Sequence, residues 1–294
     1  MILYNPYVNT KFEIARDIKL AREALDLTQE KICGILGVNV RTIQRIEACK
    51  DFDLNEESKE RFYSFVFSKI EGFNKLRCEI RKEVLKPNET LLFHGSKSGI
   101  EGSINPKKSS PINDFGQGFY AGETYEQSAT FICDSAEGST YLFRLNTEGL
   151  TCKKYGTDLE WLLTVGYYRR MLEDYRDNPR LKKAVEESES YDLIIAPIAD
   201  NRMFAIIDQF LRGYTTDKQC IHCLAATHIG SQYVLKTKKA CNKFKMLEHF
   251  YLCQEEKKKF REIQKKEVSN AEAKVKLAFR EYMGKGKTID DILC

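Results

Sequence analysis

The sequence predicts an α+β protein, on three observations. In the first 75 residues, apolar side chains recur at helical spacing. From about residue 90, short apolar strands mix with helical stretches without regular alternation, which is typical of α+β folds and not of doubly wound sheets. Residues 254–283 are highly charged and carry a sparse apolar stripe, which predicts a long helix. We therefore expect an N-terminal all-α bundle, a mixed domain and a basic C-terminal helix, with bounds at 1–75, 76–250 and 251–294.

The composition fits this organisation. A chain of 294 residues corresponds to about two domains. An aromatic content of 11% excludes disorder over the whole chain. The net charge of +4 is an average, because it is zero over 1–75, −3 over 76–235 and +9 over 236–287. If the protein binds nucleic acid, electrostatics therefore point to the basic segment as much as to the N-terminal domain.

The cysteines and the hydropathy bear on compartment and metal binding. Ten cysteines are scattered along the chain, no signal peptide is visible and no apolar run is long enough to span a membrane. We expect free thiols in a reducing cytoplasm and no membrane contact. Cys220, His222 and Cys223, with His228 beyond, come nearest to a zinc pattern, but a second two-ligand cluster is missing and the run is helical. The expectation is no metal.

The N-terminal helices follow from caps and periodicity. Apolar spacing predicts a first helix over 11–25, and Thr28 stands where the N-cap of a second helix belongs. Gly37 suits the left-handed residue that ends this second helix. Asn39 caps a third helix over 40–47, and a fourth follows at about 55–72. Two short helices around a turn with glycine form a helix-turn-helix.

The third helix is predicted to bury Ile43 and Ile46 and to expose polar side chains. The segment LTQEKICGILGVNVRTIQRIE strongly resembles the Cro/repressor-type helix-turn-helix. The resemblance implies DNA binding through residues that donate to phosphates and base edges, namely Thr28, Gln29, Asn39, Arg41, Thr42, Gln44 and Arg45. Such domains also bind protein partners, and the neutral charge of this block leaves that alternative open.

The mixed domain is predicted element by element. Strands are expected at 90–94, 141–145, 191–198 and 232–236, and helices at 125–131, 158–176, 178–189 and 203–213. The pair Gly116 and Gly118 lacks the third glycine of a dinucleotide-binding fingerprint. A Rossmann fold is therefore not expected.

Three ordered motifs in this block carry a family resemblance. Leu92-Phe93-His94-Gly95-Ser96, Phe115-Gly116-Gln117-Gly118-Phe119-Tyr120-Ala121 and Ser128-Ala129-Thr130-Phe131 resemble the catalytic core of the diphtheria-toxin/poly(ADP-ribose) polymerase branch of ADP-ribosyltransferases. The spacing fits that branch, since Ser128 lies eight and Phe131 eleven residues after Tyr120. Residues 90–240 also resemble an uncharacterised bacterial family commonly assigned to this fold. The resemblance implies an ADP-ribosyltransferase-like split β-sandwich with helices.

The resemblance also implies roles in binding NAD as a substrate. Backbone atoms of Gly95 and the Ser128 hydroxyl would bind the nicotinamide amide, and His94 would hydrogen-bond ribose hydroxyls. Tyr120 and Phe131 would stack on the nicotinamide ring. Ser96 and Gly118 belong to the same cofactor-binding set.

The third catalytic position of the resemblance is Gln232, where the family has glutamate. Glutamine can bond the ribose hydroxyl but lacks the negative charge that stabilises an oxocarbenium-like transition state. With His94 and Tyr120 as the other catalytic residues, the resemblance implies transfer of a single ADP-ribose and not chain elongation.

Two functions remain open at this stage. One is an NAD-dependent mono-ADP-ribosyltransferase, guided by the helix-turn-helix to DNA or a partner, whose acceptor is an unknown protein, nucleic acid or small molecule. A role as a bacterial toxin or defence effector fits it. The other is a DNA-binding regulator whose second domain senses NAD or a nucleotide without catalysis. The polar loop Asp200-Asn201-Arg202 is a candidate for reading the target.

Overall fold

The structure is a computed structural model that describes residues 10–48, 54–199, 201–226 and 230–294. Helices form the N-terminal region, a seven-stranded sheet forms the middle of the described chain, and a long helix follows near the C-terminus. The predicted α+β fold class is confirmed.

Thirteen helices and seven strands lie in the described ranges. The helices are α1 (Thr10–Leu25), α2 (Gln29–Leu36), α3 (Val40–Glu47), α4 (Glu56–Lys69), α5 (Phe73–Lys82), α6 (Tyr125–Ile132), α7 (Leu159–Tyr168), α8 (Pro179–Glu189), α9 (Asn201–Leu211), α10 (Asp217–Ala225), α11 (Lys238–Asn242), α12 (Gln254–Glu281) and α13 (Ile289–Leu293). The strands are β1 (Glu89–Ser96), β2 (Phe119–Gly122), β3 (Ser139–Asn146), β4 (Cys152–Lys154), β5 (Leu193–Pro197), β6 (Ser231–Leu235) and β7 (Phe244–Phe250).

The N-terminal helices pack around one apolar cluster. Ile18, Ile32, Leu36, Ile43 and Phe62 are almost completely buried in it. The cluster extends beyond the predicted boundary of this domain, because Cys253 at the start of α12 belongs to it and the Tyr251 ring stacks on Tyr63 at 4.8 Å. The N-terminal bundle is thus packed against the end of the sheet region.

The seven strands form one hydrogen-bonded sheet in the order β4-β5-β6-β2-β1-β3-β7. Only the β4/β5 pair is parallel among the described pairs. Strands β1 and β3 are in register over eight residue pairs, whereas β1 and β2 share the single pair Phe93–Gly122. The two halves of the sheet therefore meet over a very short length, and His94 and Tyr120 lie beside this join.

Two apolar clusters pack helices against one face of the sheet, since Phe93 in one cluster and Ala196 in the other are linked through the pairs Phe93–Gly122, Gly122–Gln232 and Gln232–Ala196. The largest cluster joins β5, β6 and α7 to α9 and α10, with Trp161 and Phe210 fully buried, and α13 closes it through Ile289. A smaller cluster holds α6 and α12 against β1, β3 and β7. The C-terminal helix α13 is thereby docked on the core through Ile289 and Leu293.

Several elements differ from the sequence-based expectation. The helix predicted over 158–176 ends at Tyr168, because Arg170 adopts a left-handed conformation with φ 59°. Helix α5 and strands β4 and β7 were not predicted. Strand β7 was not predicted because Lys245, Glu248 and His249 interrupt its apolar run. Glu248 pairs with Arg77 on α5, and the His249 ring stacks on Tyr141 of β3. No helix in the described ranges has the length and apolarity needed to cross a membrane.

Candidate active site

Gly95 marks the place where β1 contacts α6. A β-carbon at Gly95 would lie 2.6 Å from the backbone oxygen of Ser128 and 2.9 Å from Cγ2 of Ile132. Both distances are below normal contact, so only glycine fits here. Helix α6 is fixed at its N-terminus by a capping box between Thr124 and Gln127. The end of β1 and the Ser128–Ile132 face of α6 are therefore held in direct contact.

His94 precedes this contact and links β1 to β2. Its Nδ1 lies 2.7 Å from the backbone oxygen of Tyr120, and its ring packs on Phe119 at 4.5 Å between centroids. Burial lowers the pKa of the imidazole. Because a carbonyl only accepts, the neutral ring carries its proton on Nδ1, and Nε2 is left as an acceptor.

The Tyr120 side chain is anchored by its own loop. The hydroxyl donates to the backbone oxygen of Gly116 at 2.7 Å and accepts from the backbone nitrogen of Phe115 at 3.2 Å. Gly116 adopts φ 67°, which favours glycine. Burial raises the pKa of the phenol far above its ordinary value. Tyr120 is therefore neutral, and its hydroxyl is used to hold the loop.

The remaining motif residues are distributed around this join. The Ser128 hydroxyl is buried and donates to the backbone oxygen of Tyr125 at 2.8 Å. Phe131 is 62% exposed, with the Lys97 ammonium 5.2 Å from its ring centroid. The Ser96 hydroxyl donates to the backbone oxygen of Gly99 at 2.7 Å. At Gly118 a β-carbon would lie 2.5 Å from Cγ1 of Val234, so this glycine allows β2 to pack beside β6.

Gln232 lies opposite Gly122 in the β2/β6 pair and belongs to a buried polar network. Its Nε2 donates to Oδ2 of Asp114 at 2.8 Å and to the backbone oxygen of Pro197 at 3.0 Å. The other oxygen of Asp114 accepts from the Arg169 guanidinium at 2.6 Å. Both partners of Nε2 are acceptors, so the chain places an amide here where a carboxylate would be repelled.

The structure thus brings several predicted residues together. Gly95, Ser128 and Phe131 meet at the β1/α6 contact, whereas the neighbouring His94 packs its ring on Phe119 and is hydrogen-bonded to the Tyr120 backbone. Gln232 and the Tyr120 side chain point to the same face of the β2/β6 pair, because antiparallel partners share a face. The candidate residues therefore form two neighbouring clusters, one at the end of β1 and the other around Gln232 on β6.

Sequence reasoning missed Asp114 and Arg169. Asp114 sits in the Asn113-Asp114 stretch just ahead of the glycine motif, and Arg169 follows α7, which is 55 residues away. A buried aspartate between turn residues has no periodic signature. The only signal was its position beside a motif already singled out.

The helix-turn-helix has the expected local geometry. Thr28 caps α2 by accepting from the backbone nitrogen of Lys31, and Asn39 caps α3 by accepting from that of Thr42 at 2.9 Å. Gly37 has φ 68°. The Gln29 amide donates to Glu47 at 2.6 Å. The side chains of Asn39, Arg41, Gln44 and Arg45 are exposed and Thr42 is half-buried, while Ile43 and Ile46 are buried as expected.

Candidate metal ligands fall outside this site. Cys220 and Cys223 are buried in α10 and contact backbone oxygens, and His222 stacks on Tyr282 at 3.5 Å. His228 and Asp200 lie outside the described residues. In the described chain, Glu60, Cys253 and Glu255 bring potential ligand atoms within 4.8 Å of one another. Glu60 is already engaged by the Tyr251 hydroxyl and the Gln254 backbone, which favours a structural role for it.

The comparisons with known proteins concern the sheet region. A family described as a protein of unknown function (DUF3990) matches residues 90–246, which is more than half of the chain. This range runs from β1 to β7 and contains each candidate residue around the β1/β2 join. No curated protein and no solved structure matches the chain.

Proposed function

The chain belongs to the DUF3990 family, and we propose that it is an NAD-dependent mono-ADP-ribosyltransferase that acts in the cytoplasm. The observation that carries the proposal is the contact of Gly95 with Ser128, next to the hydrogen bond of His94 to Tyr120. Three motifs separated in sequence by the spacing of the resembled family meet at one join in the sheet. A cytoplasmic site is supported by the cysteines in the described ranges, which are all free thiols.

The β1/α6 contact supports nicotinamide binding. The Gly95 backbone is the proposed partner of the nicotinamide amide, and the exposed Phe131 ring beside it offers a face for stacking. The Ser128 hydroxyl donates to Tyr125, so its hydroxyl oxygen keeps a lone pair that can accept from the amide group of the ligand. His94 Nε2 faces a ribose hydroxyl as an acceptor in this arrangement.

Gln232 is proposed to position the ribose. Asp114 and Pro197 hold its nitrogen, and this orients the amide oxygen as the group that accepts from a ribose hydroxyl. In the reaction, the bond between nicotinamide nitrogen and ribose carbon breaks and its electron pair leaves with nicotinamide. The acceptor's nucleophile bonds to the same carbon and releases its proton. Asp114 acts here as a positioning residue, since it touches Gln232 and not the ligand.

Replacing Gln232 by glutamate tests this view of the site. Glu at this position would set a carboxylate beside Asp114 and the Pro197 oxygen, so we expect Gln232→Glu to lower both stability and NAD turnover. An increase in turnover would show that the missing charge, and not the amide geometry, limits this site.

The activity itself is tested with NAD and a cell lysate. The protein should release nicotinamide and label an acceptor, as measured by chromatography and by mass analysis of the lysate. His94→Ala, Tyr120→Ala and Phe131→Ala should each lower both signals at least tenfold. Tyr214→Ala removes another exposed aromatic side chain, which lies outside the three motifs, and is the control. Unchanged turnover in His94→Ala and Tyr120→Ala would contradict the proposal.

A second candidate is a DNA-binding regulator that senses NAD or a nucleotide without catalysis. The exposed Arg41 and Gln44 on α3 favour it, as does the neutral amide at Gln232. It predicts a specific DNA complex in a binding-site selection, which Arg41→Ala or Gln44→Ala weakens at least tenfold. NAD turnover together with no sequence preference would reject this candidate. Partner binding through the same helix would then explain the exposed face.

A further inference from the structure

A cavity of about 430 Å³ borders the loop that anchors Tyr120. It is bounded by the loop before β2, the end of α7 and the residues that follow β6. Its volume is in the range of small-molecule sites. Four cationic side chains line it, namely Lys107, Arg170, Arg176 and Lys236, against two acidic ones, Glu173 and Glu189. The lining has a surplus of two positive charges.

The acidic residues neutralise only part of this lining. Glu173 pairs with Arg176 at 3.1 Å, and Glu189 accepts from the Tyr168 hydroxyl at 3.3 Å. Arg170 and Lys107 are exposed, and neither side chain hydrogen-bonds within the described part of the chain. The Lys236 ammonium donates to the backbone oxygen of Phe115 and lies 5.1 Å from the Tyr168 ring centroid. Two cations at the mouth are therefore available to an anionic ligand.

The backbone of Arg170 is an independent sign of function. Helix α7 ends with the Met171 backbone nitrogen bonded to the oxygen of Gly166, a pattern that places a left-handed residue at Arg170. Glycine is the usual residue there, since a side chain in this region is strained. Non-glycine residues in such a strained conformation occur preferentially at ligand sites. The backbone strain at Arg170 has an explanation if its guanidinium binds a ligand in the cavity that this residue lines.

We infer that this cavity binds a nucleoside phosphate, with the phosphate at Arg170 and Lys107 and the base against the adjacent rings of Tyr167 and Tyr168. Charge-assisted bonds from the two free cations suit a phosphate, and the two tyrosines suit a flat base. The tyrosine rings are 5.4 Å apart in an edge-on arrangement. The inference does not depend on the proposed transferase activity.

The site is also connected to the Tyr120 loop. Gly116 lines the cavity, and its backbone oxygen accepts the Tyr120 hydroxyl. Lys236 donates to Phe115 in the same loop. A ligand in the cavity therefore contacts the segment that anchors Tyr120 and carries Asp114.

The test is titration calorimetry of the full chain with adenosine monophosphate, pyrophosphate and adenosine. We expect adenosine monophosphate to bind most tightly, pyrophosphate more weakly and adenosine weakest, with affinity falling as salt rises. The double variant Lys107→Ala/Arg170→Ala should lose at least tenfold in affinity for adenosine monophosphate. Lys108→Ala/Arg180→Ala removes two exposed cations outside the cavity and should bind as the wild type does.

Arg170→Gly separates a ligand role from a structural one. It relieves the left-handed strain, so the melting temperature should rise while affinity for adenosine monophosphate falls at least fivefold. Equal binding in this variant, or adenosine binding as tightly as its monophosphate, would overturn the inference. Loss of monophosphate binding in His94→Ala but not in the cavity variants would assign the ligand to the β1/α6 site instead. Loss of NAD turnover with monophosphate binding intact would reject only the transferase proposal.

Discussion

The surface of α3 exposes its polar side chains to solvent, whereas the region around the β1/β2 join buries its polar side chains in a hydrogen-bonded network. On α3, Arg41 and Gln44 point into solvent and the fold does not depend on them. In the sheet, Asp114 and Gln232 are 5% and 8% exposed and hold each other, Arg169 and Pro197 in one network. The comparison teaches that side chains on α3 can be changed without loss of stability, whereas a single substitution in the sheet network lowers the stability of the fold together with the geometry of the proposed site.

The largest effect should come from Asp114→Ala. The substitution leaves the Gln232 amide and the Arg169 guanidinium without their shared acceptor, and we expect a loss of about 3 kcal/mol in the free energy of unfolding. Denaturant melts measure this loss. Asp114→Asn keeps an acceptor and should lose less than half as much. Equal stability of Asp114→Ala and the wild type would contradict the network, and the contrast with α3 would vanish.

Gly95→Ala tests the close contact between β1 and α6, and Gly34→Ala tests an open position for comparison. A methyl group at Gly95 meets the Ser128 oxygen at 2.6 Å, so we expect a loss of about 1–3 kcal/mol and no detectable nicotinamide release. Gly34 in α2 has no atom within 4 Å of its would-be β-carbon. Gly34→Ala should therefore stabilise the protein by about 0.5–1 kcal/mol. A stable Gly95→Ala variant would show that β1 and α6 do not touch as described.

Asn39→Ala and Arg41→Ala separate the contribution of α3 to stability from its proposed contact with DNA. Asn39 caps the helix, so its loss should cost about 1 kcal/mol. Arg41 is exposed, so its loss should change stability by less than about 0.5 kcal/mol while weakening any DNA complex. Thermal melts and a binding assay with selected DNA measure the two. A large drop in the stability of Arg41→Ala would end the separation proposed for this surface.

The smallest effect is a pH dependence at Glu256, where α12 contacts α5 and α6. Burial raises the pKa of Glu256 to about 7, although the Tyr125 hydroxyl and the Asn74 amide donate to it. A carboxyl whose pKa is raised on folding stabilises the fold when protonated, so this contribution is lost as pH rises through about 7.

The melting temperature should therefore fall by a few degrees between pH 5 and pH 8, and Glu256→Gln should flatten the fall. Glu262→Gln changes an exposed carboxyl on the same helix and should leave the slope unaltered. An equal slope in wild type and Glu256→Gln would show that Glu256 keeps its ordinary pKa in the folded protein.

The candidate site could be predicted only in part from the sequence. His94, Gly95, Ser128 and Phe131 were found because each belongs to a contiguous motif with fixed spacing. The network around Gln232 could not be found, because its partner Asp114 lies 118 residues away along the chain and Arg169, which donates to Asp114, lies 55 residues from Asp114. Arg170 falls inside the helix that the sequence predicts over 158–176, because no glycine marks its left-handed backbone in the sequence.

The sequence by itself determined the features that depend on contacts between residues close together in the chain. Thr28, Gly37 and Asn39 act on backbone groups within four positions, so the helix-turn-helix with its buried and exposed faces was readable before the fold was known. Tertiary structure alone decided the order of the strands, the join of β1 to β2 at one residue pair, and the network around Asp114. These depend on contacts between distant segments, because a buried polar group takes whichever partner the packed chain brings within hydrogen-bonding distance.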